Sequence, residues 1–210
     1  MPFIPPPLLP ILDLETLGAT DPVAATRALA AGGAAWVQLR GKAISSERLH
    51  RIAGRVQAVA ARTGLRLVIN DRVDVALAVG AAGVHLGQDD LAPADARRLL
   101  GPEALIGLST HSPAEARAGA AAPVDYLGIG PIFPTATKPD AAPPPGLAGL
   151  TRIAQALAGA RPLVAIGGIT LATAPQVLAA GAAGVAVIRD LFEGADLADR
   201  VRAYGDRLAP

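Results

Sequence analysis

Eight short apolar runs, each followed by a stretch with helical spacing, constrain this chain of 210 residues more than any other feature. The runs are Leu8–Leu12, Trp36–Leu39, Leu67–Ile69, Val84–Leu86, Leu105–Leu108, Tyr126–Ile129, Leu163–Ile166 and Gly184–Ile188. Strands that read as unbroken apolar segments are covered on both faces, as in parallel sheets flanked by helices. Eight such alternations predict an α/β fold, a single (β/α)8 TIM barrel. An open doubly wound sheet shares the alternation and stays open at this point. The length suits one domain with short loops. Residues 1–210 are therefore expected to form one barrel domain, with residues 1–8 as a proline-rich N-terminal extension. Glycines just ahead of several strands, as at Gly80 and Gly181, fit helix C-caps leading into tight turns.

Composition removes several classes of function. Lys plus Arg total 19 against 18 Asp plus Glu, a formal charge of +1 that offers no broad footprint for nucleic acid or anionic lipid. There is no Cys, which excludes disulfides, thiolate metal sites and thiol nucleophiles. His50, His85 and His111 are too scattered to read as a zinc cage. No formal charge falls between Arg161 and Arg189, but Gly167, Gly168, Thr170, Pro175 and Gln176 break that stretch into a buried β-α-β unit rather than a membrane span. A cytoplasmic location is expected, without a nucleic-acid or membrane partner.

Barrel enzymes carry their chemistry where strands end, so polar residues there are the informative ones. Strand two ends in Gln38-Leu39-Arg40-Gly41-Lys42, an amide and two cations suited to phosphate oxygens. Strand three ends in Asn70-Asp71 and strand four leads into Gly87-Gln88-Asp89-Asp90. Carboxylates after neighbouring strands fit a Mg²⁺ ion shared with a diphosphate, since Mg²⁺ usually takes one or two carboxylates plus phosphate oxygens and water. Two unrelated helix N-caps are the competing explanation. Strand five ends in Ser109-Thr110-His111, ahead of a capping box at Ser112–Glu115. The segment Pro131–Gly146, with five further prolines after Pro131, carries Thr135, Thr137 and Lys138, a compact set of anion donors. Gly167 and Gly168 after strand seven, and Ile188 and Arg189 at the end of strand eight, occupy the usual phosphate corner of such barrels.

Taken in order, Val37–Lys42, Ile69–Arg72, Val84–Asp90, Gly107–His111, Gly130–Lys138, Ala165–Ile169 and Gly184–Ile188 resemble the thiamine-phosphate synthase family over nearly the whole chain after about residue 34. The resemblance implies a (β/α)8 barrel, usually dimeric. Its activity would be that of a transferase which condenses a hydroxymethylpyrimidine diphosphate with thiazole phosphate, releasing diphosphate. It implies that Gln38, Arg40, Lys42 and Asn70 bind the pyrimidine diphosphate, that Asp71 and Asp90 ligate Mg²⁺, and that Ser109 lies near the reacting groups. Thr135, Thr137 and Gly167 would contact the thiazole phosphate, Lys138 the diphosphate, and Ile188 and Arg189 the far end of the phosphate site. Ser109 and Lys138 are the candidate catalytic residues.

The pattern departs from the family at two places. The first strand ends in Leu12-Asp13 without the usual aromatic, and Arg189 stands where the family generally has Ser. Two other activities share the scaffold. A thiazole tautomerase-like isomerase would use a histidine near His111, but would bind no diphosphate and need no Mg²⁺. A non-catalytic binder of thiazole or thiamine phosphate would show no turnover.

Overall fold

The computed structural model describes residues 3–135, 144–194 and 196–209. Its strands are β1 (Leu8–Asp13), β2 (Trp36–Arg40), β3 (Arg66–Asn70), β4 (Gly83–Leu86), β5 (Leu105–Thr110), β6 (Tyr126–Ile129), β7 (Leu163–Ile166) and β8 (Gly184–Val187). The helices that follow them are α1 (Pro22–Ala31), α2 (Ser46–Thr63), α3 (Val73–Val79), α4 (Pro93–Leu100), α5 (Pro113–Ala121), α6 (Gly146–Leu157), α7 (Ala174–Ala179) and α8 (Leu197–Leu208). All strand pairs are parallel and the order is sequential. Closure is made by β1 against β8, in the register Leu8 to Val185, Leu9 to Ala186 and Pro10 to Val187. That pairing decides between the two architectures left open by the alternation: the sheet is a closed barrel.

Strands β2, β3 and β5 run on into Arg40, Asn70 and Thr110, beyond their apolar runs. Ladder hydrogen bonds belong to the backbone, so a polar side chain at a strand end does not stop the strand. At β8 the chain instead leaves early. Ile188 turns away, and Arg189–Phe192 form a short 3₁₀ turn.

Side chains alternate across each strand, giving two cores. One lies between barrel and helices, with Leu12, Leu39, Ile69 and Leu86 packed against helical residues such as Leu29 and Val56. The other fills the barrel interior with Leu9, Ile11, Trp36, Val68, Tyr126 and Val164 among others. At the strand-start end, Phe3 packs on Trp36 and Tyr126 with ring centroids 6.0 and 6.3 Å apart, and Trp36 Nε1 donates to the Leu8 carbonyl at 2.8 Å. With that end filled, the interior opens toward the strand C-termini.

Local signals act as the residue types require. Ser112 Oγ accepts from the Glu115 N–H at 3.2 Å at the start of α5. Gly80 ends α3 in the left-handed region at φ 66°, where a Cβ would be strained. Among the described residues, no helix is long and apolar enough to cross a membrane.

Candidate active site

A cavity of about 730 Å³ opens at the C-terminal ends of the strands. The alternation that makes the inner core also supplies its walls, because residues two apart on one strand share a face. Gln38 and Arg40 on β2, Asn70 at the end of β3 and Ser109 on β5 all line it, as do Lys42, Asp71, Asp90, Thr135, Gly167, Ile188 and Arg189 from the following loops. The candidate residues from seven separate segments are thus brought to one space. Thr137 and Lys138 lie outside the described residues, as does part of the Pro131–Gly146 segment.

Asp71 and Asp90 are not helix caps. The N-cap positions of α3 and α4 are Arg72 and Ala92, neither with a side-chain cap bond. Asp71 instead sits at φ 63°, a left-handed turn that Asp tolerates better than most residues, and its N–H donates to the His85 carbonyl at 2.8 Å. Lys42 Nζ lies 3.2 Å from Asp71 Oδ2. Asp90 Oδ2 accepts the Gly87 N–H at 2.7 Å, which folds the loop after β4 back over the barrel mouth. Burial raises the Asp90 carboxyl above its ordinary range; the neighbouring Asp71 pushes the same way, while the Gly87 N–H and Lys42 oppose.

Two carboxylates meeting at a partly buried point repel unless a proton or a cation joins them. That donor set fits Mg²⁺, whose remaining positions would be taken by substrate oxygens and water. Among the described residues no group of three or more His, Cys, Asp or Glu is placed to hold a metal.

The end of β1 braces the end of β2. Asp13, 1% exposed, pairs with the Arg40 guanidinium from behind, and Glu15 Oε2 lies 3.4 Å from the same nitrogen. Glu15 Oε1 also accepts the Ala43 N–H at 2.8 Å, tying the loops after β1 and β2 together. Burial raises the Asp13 carboxyl even though Arg40 opposes the shift. The pocket wall contributed by β1 is made by Leu9 and Ile11. Arg40 therefore presents an oriented cation rather than a loose one.

On the opposite side, the loops after β6 and β7 are zipped by Ile132 N–H to the Ile166 carbonyl at 2.9 Å and Phe133 N–H to the Gly167 carbonyl at 3.0 Å. A Cβ on Gly168 would stand 2.6 Å from the Pro134 carbonyl oxygen, so only glycine admits this approach. Thr135 is thereby carried beside the Gly167-Gly168 turn. Arg189 is exposed on the cavity rim. The next residue, Asp190, accepts from Tyr204 Oη at 2.5 Å and from the Leu171 N–H at 3.1 Å, and pairs with Arg200 at 2.8 Å. This carboxylate joins the loops after β7 and β8 to helix α8.

Inside the barrel, His85 Nδ1 is 3.0 Å from Tyr126 Oη and its Nε2 is 2.9 Å from Ser109 Oγ. Burial holds the imidazole pKa down, from the usual 6.5 to about 4, so the ring is neutral near pH 7. His85, Tyr126, Asp13, Glu15 and Asp190 are the polar residues that sequence reasoning missed. His111 lies at the mouth, with Nδ1 3.2 Å from Glu115 Oε2.

The chain is similar to known proteins along most of its length. The family model described as thiamine monophosphate synthase matches residues 8–191. A thiamine-phosphate synthase of Chloroflexus aurantiacus is 48% identical over 171 residues, covering 81% of this chain and 78% of that protein. A thiamine biosynthesis bifunctional protein of Symbiobacterium thermophilum is 45% identical over 207 residues, 98% of this chain but 42% of its own length. Among solved structures, a thiamine phosphate pyrophosphorylase from Pyrococcus furiosus superposes with a TM-score of 0.84 at 32% identity, over 96% of this chain and 94% of that one.

Proposed function

The chain belongs to the thiamine monophosphate synthase family, and we infer from that premise and from its site that it is a transferase of thiamine biosynthesis, joining a pyrimidine methylene to a thiazole nitrogen. The observation that carries this reading is the meeting of Asp71 and Asp90 beside Lys42, in one cavity with Arg40 and Ser109. An isomerase acting on a thiazole phosphate alone has no use for a carboxylate pair and two cations at a second anion site. The substrates are a hydroxymethylpyrimidine diphosphate and thiazole phosphate, and the products are thiamine phosphate and diphosphate.

The chemistry asks little covalent work of the protein. The methylene C–O bond breaks with its electron pair leaving on diphosphate, and the electron-rich pyrimidine spreads the positive charge left behind. The thiazole nitrogen lone pair then forms the new C–N bond. What the chain must do is stabilise charge on the leaving group and hold the nucleophile in line. Arg40, Lys42 and Lys138 supply cations for the diphosphate, Gln38 and Asn70 hold the pyrimidine, and Ser109 donates near the reacting oxygen. Thr135, Thr137, the Gly167 backbone, Ile188 and Arg189 receive the thiazole phosphate. Asp71 and Asp90 would hold Mg²⁺, which when bound neutralises charge on the diphosphate.

The same reading makes residues 1–210 one barrel domain of a cytoplasmic homodimer that works on small molecules, with neither nucleic acid nor membrane as partner. Its test is diphosphate release by the purified protein. Release that requires both substrates supports the reading. Interconversion of thiazole isomers without release, or binding without turnover, contradicts it.

A further inference from the structure

His85 and Tyr126, at the centre of the barrel, are not used by the chemistry just described, and the interior is shaped to hold them. A Cβ on Gly107 would collide with both Tyr126 and His85, and one on Gly128 would stand 2.9 Å from His85 Cε1. Both positions on β5 and β6 therefore lack side chains where the imidazole and phenol lie. The Tyr126 and His85 rings are 5.4 Å apart between centroids, and the Trp36 ring meets Tyr126 edge-on at 5.4 Å. Rotation of either polar ring is blocked on several sides.

The hydrogen-bond partners favour one arrangement of the protons. Tyr126 is 0% exposed, and burial keeps its phenol protonated. Among the described residues, its hydroxyl has one hydrogen-bond partner, His85 Nδ1. If Nδ1 carried the imidazole proton, the phenol would accept and its own O–H would be left buried without an acceptor, a costly arrangement. Donation by Tyr126 to Nδ1 avoids that and leaves the proton on Nε2, aimed at Ser109 Oγ. The Ser109 backbone is held as well, since its carbonyl accepts from Gln88 Nε2 at 2.6 Å.

We propose that His85 is a positioning residue for Ser109: its Nε2–H occupies a lone pair of the Ser109 hydroxyl and turns the serine proton into the cavity as an oriented donor to an anionic oxygen. The identity of that oxygen, on the departing diphosphate, rests on the proposed reaction; the proton arrangement does not. A donor held in advance of the reaction acts on charge as it develops, so its loss should fall on kcat rather than on substrate binding.

The arrangement is read first without turnover, from the ¹⁵N shifts of the imidazole in the full-length wild-type protein. The Nε2–H tautomer is expected for His85, and Tyr126→Phe, which keeps the ring, should populate the Nδ1–H form. A wild-type imidazole in the Nδ1–H form overturns the proposal. Kinetics supply the second reading. His85→Gln places an amide N–H near the former Nε2 and should keep kcat within about threefold, whereas His85→Asn reaches only toward Tyr126 and should lower kcat by roughly 10- to 100-fold, with KM for either substrate moving less than about threefold. Equal kcat values for the two variants also overturn it. If the wild type releases no diphosphate, the proposed reaction fails, and the tautomer still decides the His85 arrangement.

Discussion

Lys42 Nζ lies 3.2 Å from Asp71 Oδ2, so the cation expected to meet diphosphate is already held at the carboxylate expected to meet its metal. More than half of the lysine side chain remains exposed, and an exposed pair of this kind adds little to stability. Its value lies in placement. Lys42→Ala is expected to raise KM for the pyrimidine diphosphate by roughly tenfold, the size of one charge-assisted contact. KM for thiazole phosphate should be unchanged, and thermal unfolding should shift by no more than a degree or two. Steady-state kinetics with each substrate varied in turn would show a different role for Lys42 if both KM values moved together.

Arg189 is exposed on the rim of the cavity that Gly167 and Gly168 also line, and in the proposed reaction it receives the thiazole phosphate. Arg189→Ser is expected to weaken thiazole-phosphate binding by about tenfold or more while leaving pyrimidine-diphosphate binding nearly untouched. Calorimetric titration of each ligand against both proteins checks this. Unchanged thiazole-phosphate affinity would mean that the guanidinium does not reach the phosphate, and a gain would mean that it obstructs the site.

Asp190 is buried, and its carboxylate serves Tyr204, Leu171 N–H and Arg200 at once. Removing one member of a buried ion pair leaves the partner uncompensated, so Asp190→Ala should cost about 3 kcal/mol, or roughly 6–12 °C in Tm. Asp190→Asn keeps an acceptor for Leu171 and Tyr204 and should cost less. Differential scanning calorimetry of the three proteins tests the order. Wild-type Tm in the alanine variant would contradict a clamp at this position.

The pH dependence of stability follows from His85. Its folded-state pKa is lowered from the usual 6.5 to about 4 by burial, so between those values the unfolded chain binds a proton that the folded chain refuses. The corresponding stability is fully present above pH 6.5 and is lost progressively as the pH falls toward 4, by up to about 3 kcal/mol. The difference in unfolding free energy between wild type and His85→Gln should therefore shift steadily against the wild type over that window. A pH-independent difference would show that His85 is protonated as easily folded as unfolded.

Much of this molecule is legible in its sequence because a parallel barrel buries both faces of its strands. Runs such as Tyr126–Ile129 and Leu163–Ile166 need no tertiary information to be read as strands, and their observed bounds agree. Gln38 within its run, and Arg40, Asn70, Asp90, Ser109 and Gly167 at or beyond the ends of theirs, stood out against that apolar background and line one cavity. Closure was not legible, since alternation is shared with open sheets and only the β1–β8 pairing distinguishes them. Asp71 and Asp90 were ambiguous for a local reason, because a carboxylate after a strand is equally good as a cap; the observed N-cap residues, Arg72 and Ala92, exclude the caps. Asp13 was hidden by distance, its partner Arg40 lying 27 residues away. His85 was hidden by the apolar run around it, where the alternation that turns Val84 and Leu86 outward turns the imidazole into the barrel.

In the proposed reaction Asp71 and Asp90 would together hold Mg²⁺ at the diphosphate. The most direct test is the initial rate of thiamine phosphate formation as Mg²⁺ is titrated, for wild type, Asp71→Ala and Asp90→Ala, with circular dichroism confirming that each variant is folded. Saturable dependence on Mg²⁺ in the wild type, loss of activity in EDTA, and a fall on the order of 100-fold or more in both variants are expected. Full activity in EDTA, or wild-type rates from both folded variants, would contradict a metal role for this pair.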